Sequence, residues 1–149
     1  MSTAAPTPAV PAVAATVVLV RDGAQGLEVL MVVRHHEIDF ARGAAVFPGG
    51  KVAPSDQDPR LASRIAGLKG LVAAQAAIRV AAIRETFEES GLLLARENVD
   101  LGLLGGARLD AVHGRWKDAI AAAGSAFVDM VCDEALHLAG DQLQPFAHW

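Results

Sequence analysis

The sequence predicts an α+β fold with strands concentrated in its first half and a helix-rich second half. Three features carry this expectation. Near the N-terminus, Thr16 to Val20 and Leu27 to Val33 are rich in β-branched residues and flank Asp22-Gly23-Ala24-Gln25-Gly26, the pattern of a hairpin with a glycine-containing loop. From about Leu71 to Ser90 the chain is rich in alanine, the strongest helix former, and Gly91 supplies a stop because glycine takes the left-handed conformation without a Cβ penalty. After Gly91, Leu109, Val112, Trp116 and Ile120 repeat at helical spacing, as do Phe127, Met130, Val131 and Leu138 in a second helix capped by Ser125.

In chain order, residues 1–11 are a Pro/Ala-rich tail, which reads as disordered, and residues 12–149 read as one domain. At 149 residues the chain can bury a real core. Ala12 to Val20 is apolar but short, has no basic residue before it and ends at Arg21, so it fits neither a secretory signal nor a membrane span. It is a strand. Strands are expected at 14–21, 27–34 and 44–48, with a weaker one at 101–104. The near-continuous apolar character of the hairpin strands suggests burial on both faces. His35 and His36 invite a metal reading, yet neighbours on a strand point to opposite faces. Turn formers at Pro54-Ser55-Asp56 and Asp58-Pro59-Arg60 follow, then a short helix over Leu61 to Leu68.

Composition narrows the function. A net charge of −4 and a pI near 5.7 argue against a nucleic-acid partner, whose footprint is normally basic. Cys132 is the only cysteine, so no intrachain disulfide can form and a reducing, cytoplasmic location is the default. Its simplest role, like that of Trp116 and Met130, is in the core.

The chemistry concentrates in Arg84-Glu85-Thr86-Phe87-Glu88-Glu89-Ser90-Gly91-Leu92. Glu85, Glu88 and Glu89 stand at i, i+3 and i+4, so one helical face carries all of them. With Val80 as zero of the wheel, Ala76, Val80, Ile83 and Phe87 form an apolar stripe within about 60°, and the glutamates fall roughly 80° to 180° around. Carboxylates about 5 Å apart repel by roughly 3 kcal/mol at an effective dielectric near 20. Arg84 relieves part of this as the i, i+4 partner of Glu88. A hard divalent cation would relieve more. A solvated acidic face is the plainer reading of these residues alone. Asp129, Asp133 and Glu134 repeat the acidic spacing and read as such a face. Upstream, Ala44 to Phe47 leads into Pro48-Gly49-Gly50-Lys51, a strand ending in a tight turn whose glycines let the backbone approach a ligand.

Together these segments resemble the Nudix hydrolase signature, G-x5-E-x7-R-E-U-x-E-E-x-G-U with U aliphatic. Arg84 through Leu92 matches except at Thr86, where an aliphatic residue is usual, and Gly50 would open the signature. The spacing departs from the pattern. Gly50 and Arg84 are 34 positions apart against the pattern's 14, so about 20 residues, roughly 52–71, are inserted. The signature's first glutamate then falls on Ala76 counted back from Arg84, or on Asp56 counted forward from Gly50. A branch of the family that resembles coenzyme A diphosphatases carries an insert at this place. Arg34, Ile38, Gly43 and Phe47 fall at offsets similar to that branch's upstream pattern, whereas His35 departs from it.

The resemblance implies an α/β/α sandwich around a mixed sheet, here expected to be incomplete at the C-terminus. It implies a Mg²⁺ or Mn²⁺ cofactor held by Glu85, Glu88, Glu89 and the Gly49 carbonyl, with Arg84 orienting the carboxylates. Glu85, Glu88, Glu89 and Arg84 are then the catalytic set, and Arg34, Lys51 and Gly50 the substrate contacts. The implied reaction is hydrolysis of a diphosphate bond in a nucleotide-like small molecule, with a coenzyme A derivative among the candidates. No membrane partner is expected, and an open sheet edge leaves room for a homodimer. Two other readings stand beside it: a shortened Nudix-like domain that binds a nucleotide or protein without catalysis, and a helical interaction module with solvated acidic faces.

Overall fold

Helix α1, Ala73–Ser90, contributes to both buried clusters of the chain. The structure is a computed structural model that describes residues 11–33 and 43–148. Arg34, the two adjacent histidines, Ile38 and the N-terminal tail before residue 11 lie outside the described residues. At the N-terminus of α1, the Val72 N–H donates to Gln75 Oε1 at 3.2 Å. At its C-terminus Gly91 sits at φ 74°, as the sequence predicts, and its N–H donates to the Phe87 carbonyl at 2.8 Å.

This helix is buried on two sides. Val80, Ile83 and Phe87 enter the main core with Val112 and Ile120 of α2 (Gly106–Ala122) and Phe127, Met130 and Val131 of α3 (Ala126–Asp133). Ala81 and Ala82 pack against Ala15 and Val17, small side chains that let helix and strand approach closely. Thr86, the departure from the aliphatic pattern, is fully buried, and its hydroxyl donates to the Ala82 carbonyl at 2.7 Å. A threonine satisfied by its own helix fills an apolar position without an orphaned polar atom. Cys132 and Trp116 lie partly buried against the same core.

Among the described residues the strands form four two-stranded antiparallel ladders rather than one mixed sheet. β1 (Ala14–Thr16) pairs with β6 (Gly49–Lys51), the hairpin joins β2 (Val20–Gly23) to β3 (Gly26–Val29), and β4 (Val32–Val33) pairs with β5 (Ala45–Val46). β7 (Ala95–Arg96) pairs with β8 (His137–Leu138), and the parallel contact is an isolated bridge from Ile65 to Leu138. The α+β class holds. The hairpin, however, is exposed, not buried on both faces: Val20 is 56% and Leu27 69% exposed. Both buried clusters reach Leu19 and stop there, so an apolar strand pattern marks a surface without saying what covers it.

Three other expectations fail for local reasons. Residues 101–104 form no strand; the Leu104 N–H donates to the Ala95 carbonyl, and β7 supplies the strand nearby. Leu138 leaves the second helix because Ala135 turns left-handed at φ 53°, ending α3 and sending Leu138 into β8. Leu61 to Leu68 is not a helix. Two short 3₁₀ turns, Pro54–Gln57 and Pro59–Leu61, open this segment, after which the Arg64 carbonyl and Ala66 N–H hydrogen-bond the Leu138 backbone at 2.7 and 2.9 Å. Arg60 ties the same segment to α3 through Asp129 at 2.8 Å.

Glu134 is likewise not part of a solvated acidic face. It is buried and accepts hydrogen bonds from Trp116 Nε1, Arg108 Nη1 and Arg115 Nη1 at 2.7–2.9 Å. The Trp116 bond and the arginines hold its carboxyl below the usual carboxylate range. No helix among the described residues is long and apolar enough to cross a membrane.

Candidate functional site

The last turns of α1 and strand β6 meet at the Gly49-Gly50 dipeptide. Gly49 and Gly50 are strand residues in the ladder with β1, opposite Thr16 and Ala15, and not a tight turn. Neither has a positive φ. Their value is the missing side chain. A Cβ on Gly50 would lie 2.4 Å from the Glu85 carboxyl, and one on Gly49 would lie 2.3 Å from the Ala15 carbonyl oxygen. The Gly49 N–H donates to Glu89 Oε2 at 3.0 Å, across 40 positions of sequence. Backbone and acidic helix face are therefore in direct contact.

Arg84 sits behind this contact, 5% exposed. Its Nε and Nη2 grip Asp56 Oδ1 and Oδ2 at 2.8 and 3.0 Å, a bidentate pair whose side chains are 6% and 1% exposed. Nη2 also donates to the Lys51 carbonyl at 3.0 Å, and Nη1 to Glu85 Oε1 at 2.8 Å and Glu88 Oε1 at 3.2 Å. Burial alone would lower the arginine's pKa, but Asp56, Glu85 and Glu88 together raise it above its ordinary value. Asp56 in turn accepts from the Ala53 N–H at 2.7 Å. Of the two positions at which the signature's first glutamate is expected, Asp56 is the one that pairs with Arg84. Ala76 is only half-buried on α1.

The Glu88 side chain is 27% exposed. Burial pushes its carboxyl above the ordinary range, Arg84 opposes that shift, and Glu85 and Asp56 add to it. In the geometry shown, Glu85 and Glu88 turn toward Arg84 and Glu89 toward the Gly49 amide. Among the described residues no three acidic, histidine or cysteine side chains converge on a common point where an ion could sit. The donor chemistry nevertheless suits a hard divalent cation. Three carboxylates, from Asp56, Glu85 and Glu88, surround one guanidinium, Glu89 lies against the Gly49 amide, and Gly50 leaves the Glu85 carboxyl its space. Lys51 lends its carbonyl to Arg84 while its side chain is exposed, and Arg34 lies outside the described residues.

A cavity of about 250 Å³ opens on the other side of Glu88, lined by Phe87, Glu88, His113, Lys117, Ile120 and Ala121. The sequence reading missed His113 and Lys117. Their signal is the spacing of 113, 117, 120 and 121 on α2, an i, i+4, i+7, i+8 set hidden behind the apolar repeat that shares that helix.

No protein-family model and no curated protein matches the chain. Among solved structures it is similar to a NUDIX hydrolase from Alicyclobacillus acidocaldarius, with a TM-score of 0.62 and 30% sequence identity over 85% of this chain and 55% of that one. The chain thus spans little more than half the length of that hydrolase. The likeness supports the Nudix family and a Nudix-type α+β fold.

The two glycines should respond differently to alanine. In Gly50→Ala the new methyl meets the end of a flexible side chain, so Glu85 swings away from Arg84 while the fold persists. In Gly49→Ala the methyl meets the β1 backbone, which cannot yield cheaply. Thermal melts should show Gly49→Ala losing roughly 1–3 kcal/mol and Gly50→Ala clearly less. Equal losses would show that Glu85 is fixed as firmly as the strand.

Proposed function

We propose that this chain is a metal-dependent hydrolase of the Nudix type that cleaves a diphosphate bond in a nucleotide-like small molecule, with coenzyme A derivatives among the substrates to be tried. The observation that carries the reading is the contact of the Gly49-Gly50 backbone with Glu85 and Glu89, organised by Arg84 and Asp56. Glu85, Glu88 and Glu89, with the Gly49 carbonyl, would hold Mg²⁺ or Mn²⁺. When bound, such an ion neutralises phosphate charge and lowers the pKa of an attacking water.

The chain's own residues supply the rest. Arg84 and Asp56 hold the acidic face in register with β6, so the carboxylates stay positioned without substrate. Glu88 accepts the water's proton; its side chain is partly exposed and so open to an incoming water. Gly50 leaves the Glu85 carboxyl its place against β6, and Lys51 and Arg34 meet phosphate oxygens.

A second reading has an observation of its own. The glutamates are engaged by Arg84 and the Gly49 amide instead of converging on one point, which suits a domain that binds a nucleotide without cleaving it. One assay separates the two. The chain is incubated with dinucleotides, sugar nucleotides and acyl-coenzyme A species, each with Mg²⁺, Mn²⁺ or EDTA. Metal-dependent release of two phosphorylated products from at least one class is expected. No product from any class with either metal would remove the hydrolase reading and leave the binding one.

A further inference from the structure

We propose that the cavity between α1 and α2 receives a phosphate monoester at one end of the substrate, with Lys117 and His113 as its contacts; the substrate role rests on the hydrolase reading above. α2 turns His113, Lys117, Ile120 and Ala121 toward the last turn of α1, where Phe87 and Glu88 complete the lining. Phe87 and Ile120, 2% and 4% exposed, make an apolar floor. The His113 ring meets Phe87 edge-on, with centroids 5.6 Å apart at 86°, and its Nε2 would lie 3.5 Å from a Cβ on Gly91. The imidazole is therefore held in place by packing. Neither the His113 nor the Lys117 side chain has a hydrogen bond or ion pair with a described residue, so both have donors to offer a ligand.

Size and charge select the occupant. At about 250 Å³ the cavity is smaller than the roughly 300–1,000 Å³ of sites that enclose a whole small molecule, so it takes one end of a longer one. Glu88 on the α1 wall would repel an anion, and Lys117 on the α2 wall offsets that repulsion. The His113 and Lys117 side chains both offer donors, which favours an acceptor-rich end group over a cationic one. What fits is a compact anion that accepts several hydrogen bonds. A diphosphate lying along Glu88 and Glu89 would then have its cleaved bond beside β6 and its second phosphorylated end under α2.

The test reads binding apart from turnover. The His113 imidazole resonance, assigned from the spectrum of His113→Gln, is followed by NMR while the chain is titrated with glycerol 3-phosphate, and separately with glycerol, at constant ionic strength. A saturable shift with the phosphate ester only is expected. The apparent Kd should rise about tenfold in Lys117→Ala, the loss of one charge-assisted contact at an exposed position, and recover in Lys117→Arg. Shifts with both compounds, with neither, or undiminished in Lys117→Ala overturn the proposal. If the chain turns over diphosphates, Lys117→Ala should also raise KM at least about tenfold more for a substrate with a terminal phosphate than for its dephosphorylated twin. Failure to turn over any diphosphate, beside a Lys117-dependent shift, would count against the hydrolase reading alone.

Discussion

Asp56→Ala should lower the melting temperature by about 10 °C. Removing one partner of a buried ion pair typically costs about 3–5 kcal/mol, because the remaining charge is left uncompensated. Here Arg84 keeps Glu85 and Glu88 as acceptors, which points to the lower end, about 3 kcal/mol. At roughly 2–4 °C per kcal/mol for a chain of this size, that is a shift of about 10 °C. Asp56→Asn should do almost as badly, since an amide NH₂ would face the guanidinium's donors. The same change should reach the candidate site: Arg84, freed from Asp56, can turn further toward the glutamates and the Lys51 carbonyl that now fix it to β6. A melting shift under about 3 °C would mean that Glu85 and Glu88 hold Arg84 unaided. The segment carrying Asp56 would then be an appendage and not part of the site's scaffold.

That pair also marks the boundary of what the sequence could tell. The placement of Glu85, Glu88 and Glu89 on one face, and the stop at Gly91, follow from helical periodicity and from glycine's conformational freedom, both local properties. Val80, Ile83 and Phe87 were legible as core for the same reason. The pairing of Arg84 with Asp56 was not, because 28 positions separate them and counting puts the signature's first glutamate on Ala76 from one end and on Asp56 from the other. Only the fold, which folds Pro54–Gln57 back against α1, decides between them. Gly49-Gly50 shows the converse error. A dipeptide that reads as a turn is a strand, and its glycines are needed for what crosses them, Ala15 on one side and Glu85 on the other. Glu134 was misjudged because acidic spacing says nothing of Arg108, Arg115 and Trp116 arriving from another helix.

Glu88→Gln and Glu89→Gln should each reduce diphosphate turnover by about 10²–10⁴-fold with little change in melting temperature. Both substitutions preserve shape. The glutamine oxygen at 88 can still accept from Arg84 Nη1, and that at 89 from the Gly49 N–H. What disappears is a negative charge, which the fold does not need and a divalent cation does. For Glu88 the change also removes the group assigned to accept the proton, so its loss should persist at saturating Mg²⁺. In Glu89→Gln, part of the loss should be recovered as Mg²⁺ is raised, because a weakened ligand set can be compensated by mass action. Calorimetric titration with Mn²⁺ supplies a check without substrate: affinity should fall in both variants. Full turnover in either variant would falsify its assigned role. A large fall in melting temperature would instead make that glutamate part of the scaffold, in the way Asp56 is argued to be.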